Sequence, residues 1–495
     1  MIELYPVLFC ASAVFLVLWQ YFSDKPIGKI FAPLFYISIL GFALSFLWQP
    51  SAMASGGPKL ILQLLFIGVT SLITKQLKDK PLALLITLSI IVIATILFVK
   101  WDSNRDEPLI PLAEHAELIV ELKEGIAVKN ILAKLNVPAS RAFYPTDADA
   151  TTLDNYLTID APDTPGELAE LVKRLQDMDE VNYIEYNELV KLPEESGTLP
   201  PTSNKNLGVN DPGIKEQWGL ATLNLEALHA SLKNVKPKKK ALIAILDTGV
   251  DAKHEDIKAN YKSIKSKHDK DTHRHGTHCA GIAAAVTNNK KGIASLSPNG
   301  KFVEVTSVKV LSGFGGGTQS GIIAGMIEAA DAGADVISMS LGGRTNDKAM
   351  KAYTDAVKYC NKKGAIVIVA AGNNNINANL FAPANTPGVI TVSAVDQSLN
   401  KAKFSNTTED IEMAVSAPGV DIYSTLPNNK YGALSGTSMS TPYVAGLVGI
   451  MKSINPALTT QEVYAILNDN GQATQDVNKI GRLIQPKKAI DSIDK

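Results

Sequence analysis

Cysteine is nearly absent. The three in 495 residues, Cys10, Cys279 and Cys360, are too few and too far apart for a disulfide scaffold or a cysteine zinc site. Charge of one sign is not in excess either. A balance of 48 basic and 49 acidic residues leaves no surplus of cations to neutralise a phosphate backbone, which argues against a nucleic-acid partner. At about 150 residues per domain, the length suggests about three units. The sharpest shortage is local: the first hundred residues carry only 10 of the 97 charged side chains.

That charge-poor region holds four apolar stretches, at 4–22, 30–48, 60–74 and 81–99. Three are 19 residues long, close to the ~20 that a helix needs to cross about 30 Å of hydrocarbon. The third is shorter and carries Gln63, Thr70, Ser71 and Thr74. Trp19, Trp48 and Trp101 stand at or just beyond span ends, where indole rings favour the headgroup region. The expectation is a membrane anchor of about four helices over 1–100. Lys25 and Lys29 after the first span, and Lys75, Lys78 and Lys80 after the third, place those loops in the cytoplasm. Both termini, and the large polar remainder, then lie on the extracytoplasmic side of a multi-pass cell-membrane protein. A start of Met1-Ile2-Glu3 has no basic region of the kind that opens a signal peptide.

Residues 115–192 read as a small α+β unit. Strands are expected at 117–122, 155–159 and 181–190, with helical spacing at 127–135 and 166–178. Residues 193–209 show no periodicity and contain Pro, Ser and Gly, as an exposed linker would. From 210 to 495 short apolar strands alternate with helices. The strands are expected at 241–246, 302–310, 336–341, 365–370 and 389–394, and the helices at 275–286, 320–332, 347–362 and 437–454. That alternation predicts an α/β fold with a mostly parallel sheet covered on both faces, and sites at the carboxyl ends of its strands.

Four polar residues sit at such ends or at helix starts. Asp247 opens Asp-Thr-Gly, His275 opens His-Gly-Thr-His, Asn373 ends Val-Ala-Ala-Gly-Asn, and Ser438 is the serine of Gly-Thr-Ser-Met-Ser-Thr-Pro. Singly, each has a plain explanation as a turn residue or helix cap. Three of the four are the residue types that serine chemistry combines: a hydroxyl, a neutral imidazole to take its proton, and a carboxylate to orient that imidazole. His278 follows one turn after His275, with no third ligand in sight for a zinc ion, and Cys279 reads as a buried thiol beneath the site.

These motifs, in this order, resemble the subtilisin-like serine peptidases, the subtilases. The resemblance covers about 210 to the C-terminus and implies a three-layer subtilisin-like domain that hydrolyses peptide bonds without a catalytic cofactor. Asp247, His275 and Ser438 would be its triad, and Asn373 the side-chain donor to the oxyanion. It further implies that Gly315, Gly316 and Gly317 form one edge for an extended polypeptide substrate, and Ser340, Leu341 and Gly342 the other, with Phe381 at the base of the primary pocket. Structural calcium would be held by Asp211, Asp256 and Asn288, although Lys290 and Lys291 beside them work against a divalent cation. Residues 115–192 resemble the inhibitory propeptide of these enzymes, with autocleavage in the linker that follows. The partners expected are thus a polypeptide substrate, the chain's own propeptide-like unit and the lipid bilayer. The alternative is a catalytically silent subtilase-like module that binds peptide segments at the membrane.

Overall fold

The structure, a computed structural model, describes residues 4–25, 27–47, 117–135, 137–162, 165–192, 197–199, 207–345 and 350–493. It divides into two units, Met1–Glu107 and Pro108–Lys495. In the first, helices α1 (Leu4–Tyr21) and α2 (Gly28–Leu47) take up the first two apolar stretches. Trp19 packs on Phe35 and Tyr36, with ring centroids 6.0 and 5.6 Å apart. Among the described residues no helix is long and apolar enough to cross a membrane. The stretches 60–74 and 81–99, with Trp48 and Trp101, lie outside the described residues. The described structure therefore does not support the expected four-helix anchor.

The second unit starts with a four-stranded antiparallel sheet. Its strands are β1 (Glu117–Leu122), β2 (Ala139–Arg141), β3 (Tyr156–Asp160) and β4 (Val181–Tyr186), in the order β2-β3-β1-β4. Alternation along β1 sorts its side chains. Leu118, Val120 and Leu122 pack with Leu171 and Leu175 of helix α3 (Pro165–Gln176), while Ile119 turns to the other face. The expected strand 181–190 is in fact broken. After β4, a separate strand β5 (Leu189–Lys191) leaves this sheet, because its backbone groups pair elsewhere.

The larger part is a seven-stranded sheet in which every pair is parallel. Its strands are β6 (Ala241–Asp247), β7 (Val303–Lys309), β9 (Val336–Met339), β11 (Ile366–Ala370), β13 (Ile390–Val395), β14 (Ala414–Pro418) and β17 (Arg482–Leu483). Between these run three short pairings: β8 (Gly316–Thr318) with β5, β10 (Gly343–Arg344) with β12 (Phe381–Ala382), and the hairpin of β15 (Ile422–Leu426) and β16 (Lys430–Leu434). All seven residues of β6 are buried, and they face two ways. Ile243 and Ile245 meet helices α4 (His275–Ala284) and α7 (Thr437–Ile454). Ala244 and Leu246 meet α5 (Gln319–Asp331) and α6 (Lys351–Lys362). A strand buried on both faces has no polar alternation, which is why 241–246 reads as one apolar run.

The small sheet docks on α5 and α6 and satisfies their first turns, whose N–H groups have no partner within a helix. Asn187 Oδ1 accepts from Ser320 N at 2.8 Å, and Glu185 Oε2 from Lys351 N at 2.9 Å. Beside them Lys351 Nζ donates to Glu121 at 2.7 Å and Asp355 at 2.6 Å, and Tyr156 donates to Asp355 at 2.8 Å. Burial, then the Asp355 and Glu121 carboxylates, push the Tyr156 hydroxyl up, so it stays a donor. Ile119, Phe143, Leu153 and Tyr156 complete the apolar part of this contact.

Candidate active site

Asp247 is the last residue of β6, and its fully buried carboxylate points at the opening of α4. Both of its oxygens lie 2.8 Å from His275 Nδ1. A carboxylate at that distance fixes the tautomer: Nδ1 carries the proton, and Nε2 is left as the basic nitrogen of the neutral ring. The turn before His275 is strained, with Arg274 at φ 122°, and a second acid holds it. Asp271 accepts from His273 N, Arg274 N and Thr277 N, each at 2.9 Å, and from the hydroxyls of Thr248 and Thr277. Sequence reasoning did not single out Asp271. The available signal was an Asp just ahead of a helix start, the usual place of a cap.

Ser438 is the second residue of α7, a helix buried along its whole length. Pro442 lies four residues on and has no N–H, so the Ser438 carbonyl cannot receive its helical hydrogen bond. The side chains of Ser340, at 2.8 Å, and Cys279, at 3.5 Å, donate to that carbonyl instead. The first turn of α7 is thereby tied to β9 and α4 at once. Ser438 Oγ is 3.3 Å from Ser340 O. Gly446 lets α4 and α7 approach closely, since a Cβ there would lie 2.8 Å from Ala283 O.

Asn373 follows β11 through Gly372, whose φ of +100° few other residues would adopt. Its Oδ1 accepts from Thr437 N and Thr437 Oγ1, both at 2.9 Å. Asn373 lines a cavity of about 360 Å³ together with Ser438 and Thr437. Ser340, Leu341, Gly342 and Phe381 line the same cavity. Phe381 is brought there by pairing of β10 with β12.

Gly315, Gly316 and Gly317 are engaged by this chain's own strand. β5 runs antiparallel to β8, with Val190 opposite Gly317 and Lys191 opposite Gly316, and Leu192 N donates to Gly315 O at 2.8 Å. Val190 and Leu192 are buried, Leu189 is exposed, and Leu192 lines the cavity that holds Ser438. The chain is described again at 197–199, where Thr198 N donates to Asp421 Oδ1 at 2.8 Å beside the β15–β16 hairpin. Most of the linker, including 193–196, lies outside the described residues.

Asp247, His275 and Cys279 are the one group among the described residues whose potential metal-ligating atoms lie within 4.8 Å of one another. Those atoms are spent internally, since the imidazole faces the carboxylate and the thiol faces the Ser438 carbonyl. Burial, then the neighbouring His275, push His278 down to about 3, and its Nε2 lies 3.2 Å from Gly432 O. It is a neutral structural neighbour. Asp211, Asp256 and Asn288 meet elsewhere, around the loop 288–293.

Residues 238–482 match the profile described as the subtilase family. The chain is 44% identical over 216 residues to a thermophilic serine proteinase of Bacillus sp. (strain AK1), covering 43% of this chain and 52% of that protein. It is 43% identical over 218 residues to thermitase of Thermoactinomyces vulgaris, covering 43% of this chain and 75% of thermitase. The matched stretch thus spans about half of the first relative and three quarters of the second. Among solved structures, a protease from Pseudoalteromonas arctica superposes with a TM-score of 0.51 at 28% identity, over 57% of this chain and 99% of that one.

Proposed function

The chain belongs to the subtilase family of serine endopeptidases, and on that premise we propose that it is a membrane-tethered endopeptidase that cuts extended polypeptide segments and begins with its own linker. The observation that carries this reading is the strand β5, paired along the cleft edge and ending beside Ser438. A cleft that takes one extended segment by main-chain pairing takes others of the same form. In the reaction, Ser438 Oγ attacks the carbonyl carbon of the bound peptide while His275 Nε2 takes the hydroxyl proton. Asp247 holds the ring and stabilises the imidazolium without becoming protonated. The oxyanion is met by the Asn373 amide and the Ser438 backbone N–H, and His275 then returns the proton to the leaving amine.

Residues 115–192 act in this reading as an inhibitory propeptide, with Asn187 and Glu185 as its polar anchors and β5 as its blocking tail. The sequence supports a membrane anchor over 1–100, through its charge-poor stretches and lysine-bearing loops, and sets the peptidase on the extracytoplasmic side. One expression experiment tests both points. The Ser438→Ala chain is expected to stay full length and sediment with membranes. The parent chain is expected to shorten by a cut within 192–209. Equal cutting of both chains, or of neither, overturns the peptidase reading, and a Ser438→Ala chain that stays in the soluble fraction overturns the anchor.

A further inference from the structure

The corner that the family resemblance assigns to calcium is built with the opposite polarity. Three residues of its loop, Asn288 at φ 65°, Lys290 at φ 64° and Gly292 at φ 35°, are left-handed, with ordinary residues between them. Such alternation turns successive backbone N–H groups to one concave side, which makes a nest for anions. The acceptors here are the protein's own Asp211 and Asp256, and both side chains are buried. Asp211 accepts from Asn288 N at 2.8 Å and Asn289 N at 3.1 Å. Asp256 accepts from Ile293 N at 2.7 Å and from the Asn289 side-chain amide at 2.6 Å. Asn288 Oδ1 accepts from Asn210 N at 3.1 Å, and Asn289 Oδ1 from Lys291 N at 2.7 Å. The Gly292 carbonyl accepts from Gly213 N at 2.6 Å.

A calcium ion takes about 6–8 oxygen ligands whose lone pairs face it. In this hollow every side-chain oxygen of Asp211, Asp256 and Asn288 already accepts an N–H. Lys290 and Lys291 add two ammonium groups on the exposed rim. The donor set does not fit the ion. We infer that Asn289 takes the place of a cation in this corner. Its backbone N–H holds Asp211 and its carboxamide holds Asp256, so the clamp between the segment before the first central strand and the loop after α4 works without divalent metal.

The test uses the full-length Ser438→Ala chain, in which self-digestion does not obscure unfolding and whose stability does not depend on the proposed chemistry. Its unfolding half-life at elevated temperature is followed by circular dichroism, with calcium chloride or with a chelator present. The two half-lives are expected to agree within about two-fold, whereas an ion held at about a hundred times its Kd would shift the folded-to-unfolded ratio about hundred-fold. Adding Asn289→Ala leaves a buried carboxylate short of a donor, and is expected to shorten the half-life about ten-fold in both buffers alike. An Asn289→Ala chain as stable as its parent overturns the inference. A calcium-dependent gain of ten-fold or more that Asp211→Asn abolishes also overturns it. A gain that survives Asp211→Asn places the ion elsewhere and leaves the clamp standing. If Asp211→Asn does not fold, equilibrium dialysis of the parent chain against radioactive calcium decides. No bound ion supports the clamp, and a bound ion that Asn289→Asp tightens overturns it.

Discussion

Asp247→Asn is expected to lower kcat for peptide hydrolysis by about 10⁴-fold at neutral pH, the size known for the same exchange in a serine protease of another fold. Both Asp247 oxygens lie 2.8 Å from His275 Nδ1 in a fully buried setting. An asparagine of nearly the same shape offers one oxygen and one NH₂ group there. The NH₂ can face an imidazole only if Nδ1 gives up its proton, which moves that proton to Nε2 and removes the base that Ser438 needs. KM is expected to change little, because Asp247 does not line the cleft. The measurement is steady-state hydrolysis of a chromogenic peptide by the processed enzyme. A loss below about ten-fold would mean that Asp247 does not set the tautomer.

The second large effect concerns the tail. In the Ser438→Ala chain, which cannot cut itself, Val190→Asp with Leu192→Asp is expected to tighten the apparent binding of an added extended apolar peptide by at least about 100-fold. Val190 and Leu192 are 4% and 7% exposed. Burying each side chain is worth about 1.5–3 kcal/mol, and a carboxylate in its place adds a desolvation penalty of its own. When a tail occupies the cleft, the apparent Kd of a competitor is the intrinsic value divided by the small fraction of open clefts. Ejecting the tail raises that fraction toward one. Fluorescence polarisation of a labelled peptide reads the change, and a matched melting curve checks that the rest of the unit stays folded. Unchanged affinity in a folded double variant would show that β5 does not block the cleft.

Much of the peptidase domain was legible because its strands are buried on both faces and its candidate site lies at their ends. Five of the seven central strands stand out in the sequence, four as apolar runs and β7 by its recurring valines. β14 and β17 do not: β14 is Ala-Val-Ser-Ala-Pro and β17 is two residues long, so neither has the length or branched side chains that mark a strand. Asp247, His275, Asn373 and Ser438 were readable from their motifs, whereas Asp271 and Pro442 act through backbone groups and leave only a faint cap or kink signal. The break between β4 and β5 was hidden because 181–190 stays strand-like throughout while its hydrogen-bonding partner changes. At the loop 288–293, residue types suggested oxygen ligands. The sign of φ at Asn288 and Lys290 decides whether carbonyls or N–H groups face inward, and composition does not reveal it.

The most direct test of the account is covalent. The chain is treated with a fluorophosphonate once its tail is displaced, and the adduct is located by peptide mass spectrometry. One phosphonate is expected on the peptide containing Ser438, and none on the same peptide from His275→Ala. An adduct on another serine, such as Ser340 or Ser440, or no adduct in folded protein with an open cleft, would contradict it.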